Sequence, residues 1–250
     1  MLKIMVVGGP AEDYIVRCLT SIINQSVLDW DAQVVLDPVN DKTYEIAKAY
    51  ERPNLKVLLN DKQEYALPNL LKASELLNPS DDDILVTVDA DDWLFSYDTP
   101  SHKDSLSIVK SYYDRNPELL LTHGSWRSFP NAGANTNNAP YTRHEFDNNL
   151  RKFAWRASHL RTFKYKVWKH INVEDLKDAD GKFFRSAWDL AFVFPMLEMA
   201  GLDRIQFIRE PIYTYNQETP FSDTRMRLQE QMYYTDYIAA MPQYKYRENF

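Results

Sequence analysis

Three carboxylates stand together at the end of an apolar run. Residues 84–88, Ile-Leu-Val-Thr-Val, have the length and composition of a buried parallel strand, and Asp89, Asp91 and Asp92 follow directly. Clustered carboxylates repel one another, so such a group favours a bound cation. Carboxylate oxygens suit Mn²⁺ or Mg²⁺, ions that commonly hold a substrate's phosphates. The alternative is that these acids only cap the segment that follows, because Asp-x-Asp alone is a short pattern.

The segments around this cluster alternate between strand and helix patterns. Strands are predicted at 3–7, 33–36, 55–59 and 84–88, with helices at 12–23, 43–50 and 66–77 between them. This order indicates a mostly parallel sheet with right-handed crossovers, in which ligands bind at the carboxyl ends of the strands. The expected fold class is therefore α/β: a Rossmann-like, mostly parallel central sheet flanked by helices, with a helical C-terminal extension.

The second half of the chain has a less regular pattern. Residues 128–142 combine small and amide residues with two prolines, which predicts a loop. Helices are predicted at 105–113, 160–170, 188–199 and 226–240, and strands at 119–122, 205–208 and 212–215. Because no linker separates the halves, we expect one compact domain, divided into residues 1–125 and residues 126–250.

The charge of the chain is distributed unevenly. The 250 residues have a net charge of −7. Residues 1–100 contain 8 Lys and Arg against 18 Asp and Glu, whereas residues 101–250 contain 21 against 18. This acidity argues against nonspecific nucleic-acid binding. The single cysteine, Cys18, excludes an intrachain disulfide and fits a reducing compartment, so we expect a cytoplasmic protein; no apolar run has the length of a transmembrane segment.

The order of these segments resembles glycosyltransferase family 2, with its GT-A fold. The similarity rests on residues 14–25, which end in Ser-Ile-Ile-Asn-Gln, on Val-Val-Leu-Asp at 34–37, on Asn-Asp-Lys at 60–62 with Asn69, on the acidic motif at 86–92, on Trp-Asp-Leu at 188–190, and on Pro-Ile-Tyr-Thr-Tyr at 211–215. The resemblance covers most of residues 1–216.

The resemblance implies a metal-dependent, inverting glycosyltransferase. It would move a sugar from a nucleotide-diphosphate sugar, with a UDP-sugar expected, to an acceptor hydroxyl. It implies that Asp91 and Asp89 bind Mn²⁺ or Mg²⁺, and that residues 1–125 hold the donor while residues 126–250 face the acceptor. The residues expected to contact the donor are Gly8, Asp37, Lys62, Asn69, Asp89, His159 and Arg161.

Two of the resembling segments depart from the family pattern. The first strand ends in Gly8-Gly9-Pro10 instead of Pro-x-Tyr-Asn, and Asp37-Pro38 stands where the family has Asp-Asp. Both segments line the base pocket in the family, so the identity of the base stays open. The backbone of Gly8 suits a close approach to a nucleotide, because glycine has no Cβ. Asp37 has two interpretations: a contact to the base or ribose, or an N-cap for a helix at 42–50.

Asp189 is the candidate general base for the acceptor hydroxyl, on the strength of the resemblance. A positioned base typically accelerates a reaction about 10²–10⁴-fold. Its structural alternative is an acid in the first turn of the helix at 188–199, where it favours the helix macrodipole. Both roles are compatible with each other.

Residues 148–173 form a basic, aromatic segment with seven Lys and Arg and no Asp or Glu. One interpretation is phosphate recognition, with His159 and Arg161, and less strongly Arg127, reaching the donor diphosphate. The other is a solvated basic helix with an aromatic core face. The acceptor is left open between a glycan and a hydroxymethylated base of DNA, which would have to be flipped out or single-stranded.

Two other functions use similar residues. A nucleotidyltransferase also combines strand-end acids with a metal ion and a nucleotide, but it normally carries a glycine-rich phosphate loop, of which Gly8-Gly9-Pro10 is only a fragment. A non-catalytic nucleotide- or glycan-binding module is the third alternative. Nucleotide binding that requires Mn²⁺, followed by sugar release, distinguishes the transferase from both.

Overall fold

The computed structural model describes residues 1–96, 104–131, 138–221 and 223–250, except for the side chains of residues 223 and 224. Eight strands form one sheet. They are β1 Leu2–Gly8, β2 Trp30–Leu36, β3 Leu55–Leu59, β4 Ile84–Asp89, β5 Trp93–Leu94, β6 Leu121–Phe129, β7 Arg161–Lys164 and β8 Ile205–Asn216. The helices are α1 Ile15–Ile23, α2 Thr43–Lys48, α3 Ala66–Leu77, α4 Ser105–Arg115, α5 Arg143–Asp147, α6 Tyr165–Trp168, α7 Trp188–Ala200, α8 Asp223–Met226 and α9 Leu228–Ala240.

The sheet has the strand order β3-β2-β1-β4-β7-β6-β8-β5. The first four strands in this order are mutually parallel. β7 runs antiparallel to both β4 and β6, β6 and β8 are parallel, and the short β5 closes the edge antiparallel to β8. The expected α/β class with a mostly parallel sheet is confirmed. The expected division between residues 125 and 126 falls within β6, and it stays a prediction.

Two hydrophobic cores cover the two faces of the sheet. The side chains of β1 alternate between them, since Ile4 and Val6 pack in the core that contains α1, whereas Met5 and Val7 pack in the core that contains α3 and α7. This two-sided burial explains why β1 reads as a continuous apolar run. Each parallel strand ends where its apolar run ends, so the polar residues that follow β1, β2 and β4 lie close together.

The predicted helix at 160–170 is wrong. Residues Arg161–Lys164 form β7, and only Tyr165–Trp168 are helical. β7 fills the gap between two strands, with Thr87 of β4 opposite Arg161 and Thr122 of β6 opposite Thr162. Pairing on both sides outweighs a local helical pattern, because it satisfies the backbone groups of a buried segment.

Other boundaries in the second half also differ from the prediction. β6 continues through Phe129, into the predicted loop at 128–142, and residues 132–137 of that loop lie outside the described part of the chain. The two predicted strands at 205–208 and 212–215 are one strand, β8, whose register with β6 shifts around Ser125. Among the helices that the structure describes, none is long and apolar enough to cross a membrane.

Candidate active site

A cleft of about 360 Å³ opens at the carboxyl ends of β1, β2 and β4. We call it the donor cleft. Most of the candidate residues line it: Gly8, Asp37, Asn69, Asp89, Asp91, His159, Arg161 and Asp189. Lys62 is the exception, since its side chain is exposed and is not among the residues that line the donor cleft. The strand order brings these positions together because parallel strands end at one edge of the sheet.

Gly8 forms part of the floor of the donor cleft. A Cβ at this position would lie 2.5 Å from the Cβ of Ala90, a distance that real contacts do not show. The close approach arises because β1 runs beside the turn after β4, where the amide of Ala90 donates to the carbonyl of Val7 at 2.9 Å. The glycine is therefore required by packing at the same place where its backbone faces the cleft.

Asp37 is the centre of a buried polar network. Its Oδ1 accepts hydrogen bonds from Nδ2 of Asn60 at 2.9 Å and from Nδ2 of Asn69 at 3.1 Å. Its two oxygens also accept from the backbone amides of Glu64 and Tyr65, at 3.0 and 2.8 Å. The alternative role as N-cap of the helix at 42–50 is wrong, because α2 begins after Lys42 and Asp37 holds the loop before α3 instead.

The acidic turn after β4 concentrates negative charge. Asp91 is half-buried, and desolvation together with the neighbouring Asp89 raises the pKa of Asp91 to about 7. Burial, followed by the charges of Asp91 and Asp89, raises the pKa of Asp92 well above its usual value. In both cases desolvation is the larger cause, and repulsion from the neighbouring carboxylates adds to it.

Asp92 lies behind the donor cleft and does not line it. Its side chain is 1% exposed, and its Oδ1 accepts from the backbone amide of Asn216 at 2.7 Å. Asn216 also donates from its side chain to the carbonyl of Asp91 at 3.1 Å. Asp92 thus ties the acidic turn to the end of β8. The helix that follows in the chain has its own N-cap, Asp104.

His159 stands beside Asp89 in an aromatic setting. Its ring is stacked on Tyr213 and Tyr215, with centroids 4.8 and 5.3 Å away, and its Nε2 lies 3.3 Å from Oδ2 of Asp89. Burial and the positive charge of Arg161 lower the pKa of His159 despite the nearby Asp89. The imidazole is therefore neutral near pH 7 and does not balance the acidic turn.

Asp89, Asp92 and His159 form a group whose ligand atoms lie within 4.8 Å of one another. The prediction from the sequence paired Asp89 with Asp91 instead. Asp91 faces the donor cleft, whereas Asp92 is buried behind it, so the two acids approach Asp89 from different sides. The donor set of carboxylate oxygens and an imidazole suits a divalent cation.

Arg161 and Asp189 form the other charged pair of the donor cleft. Nη1 of Arg161 lies 3.3 Å from Oδ2 of Asp189, and its guanidinium stands 5.5 Å from the ring centroid of Trp188. The Arg161 side chain is only 3% exposed, whereas that of Asp189 is 22% exposed. Asp189 lies in the first turn of α7, so the favourable position near the helix N-terminus and the position in the cleft coincide.

The interpretation of residues 148–173 as a solvated helix is wrong. Most of its cations pair with acids from other parts of the chain: Arg151 with Glu198, Arg156 with Glu145, Lys164 and Lys166 with Asp82, and Lys169 with Asp81. His159 and Arg161 line the donor cleft, whereas Arg127 does not, and the contact of the first two to a donor stays a prediction. The sequence could not show the acidic partners, because none of the acids lies within the basic segment itself.

Sequence analysis missed a second wall of the donor cleft. The ring of Tyr65 lies between two guanidinium groups, 5.6 Å from that of Arg185 and 5.1 Å from that of Arg227. Glu230 on α9 accepts from Nη2 of Arg185 at 2.8 Å. Tyr65 has a positive φ of 68°, which is uncommon for a residue with a Cβ. No local pattern predicts this wall, because it requires α9 to pack over the loop before α3.

Comparisons with known proteins agree with this arrangement. Residues 9–100 match the model of the family described as glycosyl transferase family 2. No curated protein gives a significant match. The predicted resemblance to this family is confirmed over the matched residues.

Solved structures of S. aureus TarS are similar in fold. A fragment of residues 1–349 in complex with UDP aligns with a TM-score of 0.66 at 16% identity, over 96% of this chain and 64% of that one. The same fragment in complex with UDP-GlcNAc aligns with a TM-score of 0.60 at 17% identity, over 87% and 59%. A longer TarS structure is covered over 39% of its length, so this chain spans less than two thirds of these relatives. The GT-A fold is confirmed.

Proposed function

We propose that this protein is a metal-dependent, inverting glycosyltransferase that uses a nucleotide-diphosphate sugar, most simply a UDP-sugar. The observation that carries the proposal is the meeting, in one cleft, of the acidic turn at Asp89 and Asp91 with the Asp189–Arg161 pair. The family match over residues 9–100 supports the same reaction class. The similar TarS structures, solved with UDP and with UDP-GlcNAc, support the choice of donor.

The nucleoside end of the donor is assigned to the network around Asp37. Asn60 and Asn69 hold the Asp37 carboxylate in place through hydrogen bonds of 2.9 and 3.1 Å. Its Oδ2 accepts from only one described donor, the amide of Tyr65, and so retains a lone pair for a hydroxyl or imide N–H of the ligand. The floor at Gly8 lets the ligand approach the backbone.

The acidic turn fits a divalent metal ion. Asp89 and Asp91 face the cleft, and desolvation together with the charge of Asp89 disfavours the ionised form of Asp91, which a cation would stabilise. When bound, a Mn²⁺ or Mg²⁺ ion would stabilise the charge that develops on the departing diphosphate. Asp92, behind the cleft, and the neutral His159, in its wall, each have a ligand atom within 4.8 Å of the Asp89 carboxylate.

Asp189 is assigned as the general base. It accepts the proton of the acceptor hydroxyl while the hydroxyl oxygen forms a bond to the anomeric carbon of the sugar. The bond between that carbon and the diphosphate breaks on the opposite face, which inverts the configuration. Arg161, 3.3 Å from the Asp189 carboxylate, orients it and keeps its charge balanced before the proton arrives. The acceptor proposed for this reaction is a glycan.

The experiment is a calorimetric titration of UDP, with and without Mn²⁺, into the protein and into Asp91→Ala. We expect UDP binding that requires Mn²⁺ in the unaltered protein and loss of this requirement in the variant. Asp61→Ala is the matched control, because Asp61 is an exposed acid outside the cleft lining. If Asp91→Ala keeps full Mn²⁺-dependent affinity, the metal assignment is overturned. If UDP does not bind at all, the transferase proposal itself fails.

A further inference from the structure

A second cleft, of about 310 Å³, lies beside α1, β5 and β8. We call it the arginine cleft. It shares β8 with the donor cleft, since Tyr215 lines the donor cleft and the preceding Thr214 lines the arginine cleft. Consecutive residues of a strand point to opposite faces, so the two clefts lie on opposite sides of β8. No Asp or Glu is among the described residues that line the arginine cleft, although the whole chain has a net charge of −7.

Arg17 is the cation of this cleft. Its guanidinium carbon lies 3.8 Å from the ring centroid of Trp93 and 5.1 Å from that of Phe129, so two aromatic rings hold it in place. In the part of the chain that the structure describes, no hydrogen bond or ion pair involves its guanidinium. Five N–H donors in a fixed plane are therefore available to a ligand.

Arg127 adds a second cation on the same face of the sheet. The strand register places Arg127 opposite Thr214, and Thr214 opposite Trp93, so the three residues form one row across β6, β8 and β5. Directly paired residues of neighbouring strands share a face. The guanidinium of Arg127 lies 5.5 Å from the ring centroid of Phe95, which lines the cleft. It too has no hydrogen bond or ion pair to a described residue.

We propose that the arginine cleft binds an anionic group of the acceptor, and that the acceptor is a glycan carrying phosphate or carboxylate. This inference rests on the proposed transferase function. Arginine forks match both oxyanions in a planar, two-point geometry. The exposed Asn24 and the hydroxyl of Thr20 also line the cleft and suit sugar hydroxyls.

The position of the cleft suits an acceptor rather than a second donor. Trp93 follows Asp92 directly, so the cleft begins where the acidic turn ends. Its volume, at the lower end of the usual ~300–1,000 Å³ range, holds one or two sugar units of the acceptor. Because β5 is the edge strand of the sheet, the rest of a longer acceptor can pass round this edge to the donor cleft. Two cations are too few for a nucleic-acid groove, which neutralises several phosphates along the strand. The observations therefore favour an anionic glycan over DNA.

The test compares sugar ligands in an NMR titration of the whole protein. Glucose 6-phosphate, glucuronate, glucose and inorganic phosphate are titrated separately, once with saturating UDP and Mg²⁺ to fill the donor cleft and once without them. The variant is Arg17→Gln with Arg127→Gln. The control is Lys56→Gln with Arg209→Gln, which removes the same charge from exposed positions outside both clefts.

We expect one or both sugar anions to bind, and glucose to bind much more weakly. The arginine variant should raise their dissociation constants about tenfold or more, whereas the control should change them less than about twofold. UDP affinity should be the same in all three proteins. If UDP fails to bind while the sugar anions still respond to the arginine variant, the transferase proposal fails and the arginine cleft stands as an anion site.

Three results would overturn the inference. The first is that neither sugar anion binds, or that the arginine variant binds them as the unaltered protein does. The second is that inorganic phosphate binds as tightly as glucose 6-phosphate, which leaves an anion site without sugar recognition. The third is that single-stranded DNA, at the same phosphate concentration, binds more tightly and loses this binding in the arginine variant.

Discussion

Two buried groups of charges in this protein are built in opposite ways. Arg151 and Glu198 are both 2% exposed and form a two-point pair, with Nε–Oε1 and Nη2–Oε2 distances of 2.5 and 2.7 Å. The remaining groups are satisfied as well, since Arg151 donates to the carbonyl of Ile238 and Glu198 accepts from the amide of Tyr244. In the donor cleft, by contrast, Arg161 meets Asp189 through a single 3.3 Å contact, and no Lys or Arg among the described residues forms an ion pair with the acidic turn.

The difference distinguishes a structural ion pair, Arg151–Glu198, which we call the joint, from the reactive group of charges in the donor cleft. A buried charge pair that is fully hydrogen-bonded holds one arrangement, because any other arrangement would leave a charge unpaired. The Arg151–Glu198 pair thereby fixes α9 and the C-terminal residues against α7. An incompletely paired charged group has hydrogen-bonding capacity that no protein group uses, and a ligand can bind to it. Both arginines come from the same basic segment, so composition alone does not distinguish them.

The largest expected effect is on catalysis. Asp189→Asn should lower kcat about 10²–10⁴-fold, because the amide has nearly the same shape but does not accept the proton. UDP affinity and the thermal midpoint should stay close to those of the unaltered protein. The measurement is release of UDP from a UDP-sugar, with turnover under saturating donor.

Asp203→Asn provides the control for this comparison, because its side chain is 82% exposed and it pairs with Arg143 away from the donor cleft. Turnover within a few-fold of normal in Asp189→Asn would leave Asp189 only its role in the first turn of α7. The donor cleft would then differ from the joint in its charge pairing but not in a catalytic role for Asp189.

The next largest effect concerns the joint. Glu198→Ala should lower the free energy of unfolding by about 3–5 kcal/mol, because it leaves the Arg151 guanidinium buried without a counter-charge. Asp81→Ala, which removes the acid of an exposed pair with Lys169, should cost only about 0–1 kcal/mol. Urea denaturation measures both.

The double substitution Arg151→Met with Glu198→Leu sharpens this prediction. It should recover most of the loss, because well-packed apolar residues often replace a buried pair at little cost. A loss in Glu198→Ala no larger than in Asp81→Ala would show that the buried pair is not the joint that its geometry indicates.

A smaller effect is expected from the acidic turn, and it depends on pH. The pKa of Asp91 lies near 7 in the folded protein and near its usual 3.8 in the unfolded chain. The folded state therefore binds the proton more tightly between these values, and the stability of the metal-free protein should fall as pH rises from about 4 to 7. Asp91→Asn should be more stable than the unaltered protein at pH 8, by at most about 4 kcal/mol, and equal to it at pH 4.

Thermal unfolding in the presence of a chelator measures this difference, with Asp61→Asn as an exposed control. Saturating Mn²⁺ should reverse it at pH 8, because the ion stabilises only the protein that keeps its carboxylate. Equal stability of Asp91→Asn and the unaltered protein at both pH values would mean that the acidic turn carries no uncompensated charge.

The first half of the molecule was largely predictable from its sequence. The strands β1 to β4 are buried on both faces, so each appears in the sequence as a continuous apolar run whose length and polar end can be recognised directly. Gly8, Asp37 and Asp89 therefore meet at one edge of the sheet, as their positions at strand ends predicted. The second half was less predictable: β7 lies where a helix was expected, because its pairing with β4 and β6 involves residues far along the chain.

The sequence by itself determined the α/β class, the acidic turn and the placement of Asp189 at the start of a helix, because each depends on neighbours within a few residues. Only the tertiary structure decided what each basic residue does. Arg151 is paired with Glu198, Arg161 faces Asp189 in the donor cleft, and Arg17 lies over Trp93 with no ion pair to an acid in the described ranges. The three side chains are chemically identical, and their roles differ because folding gives them different partners. Arg151 has a two-point carboxylate pair, Arg161 has a single contact to a carboxylate, and Arg17 has an aromatic ring.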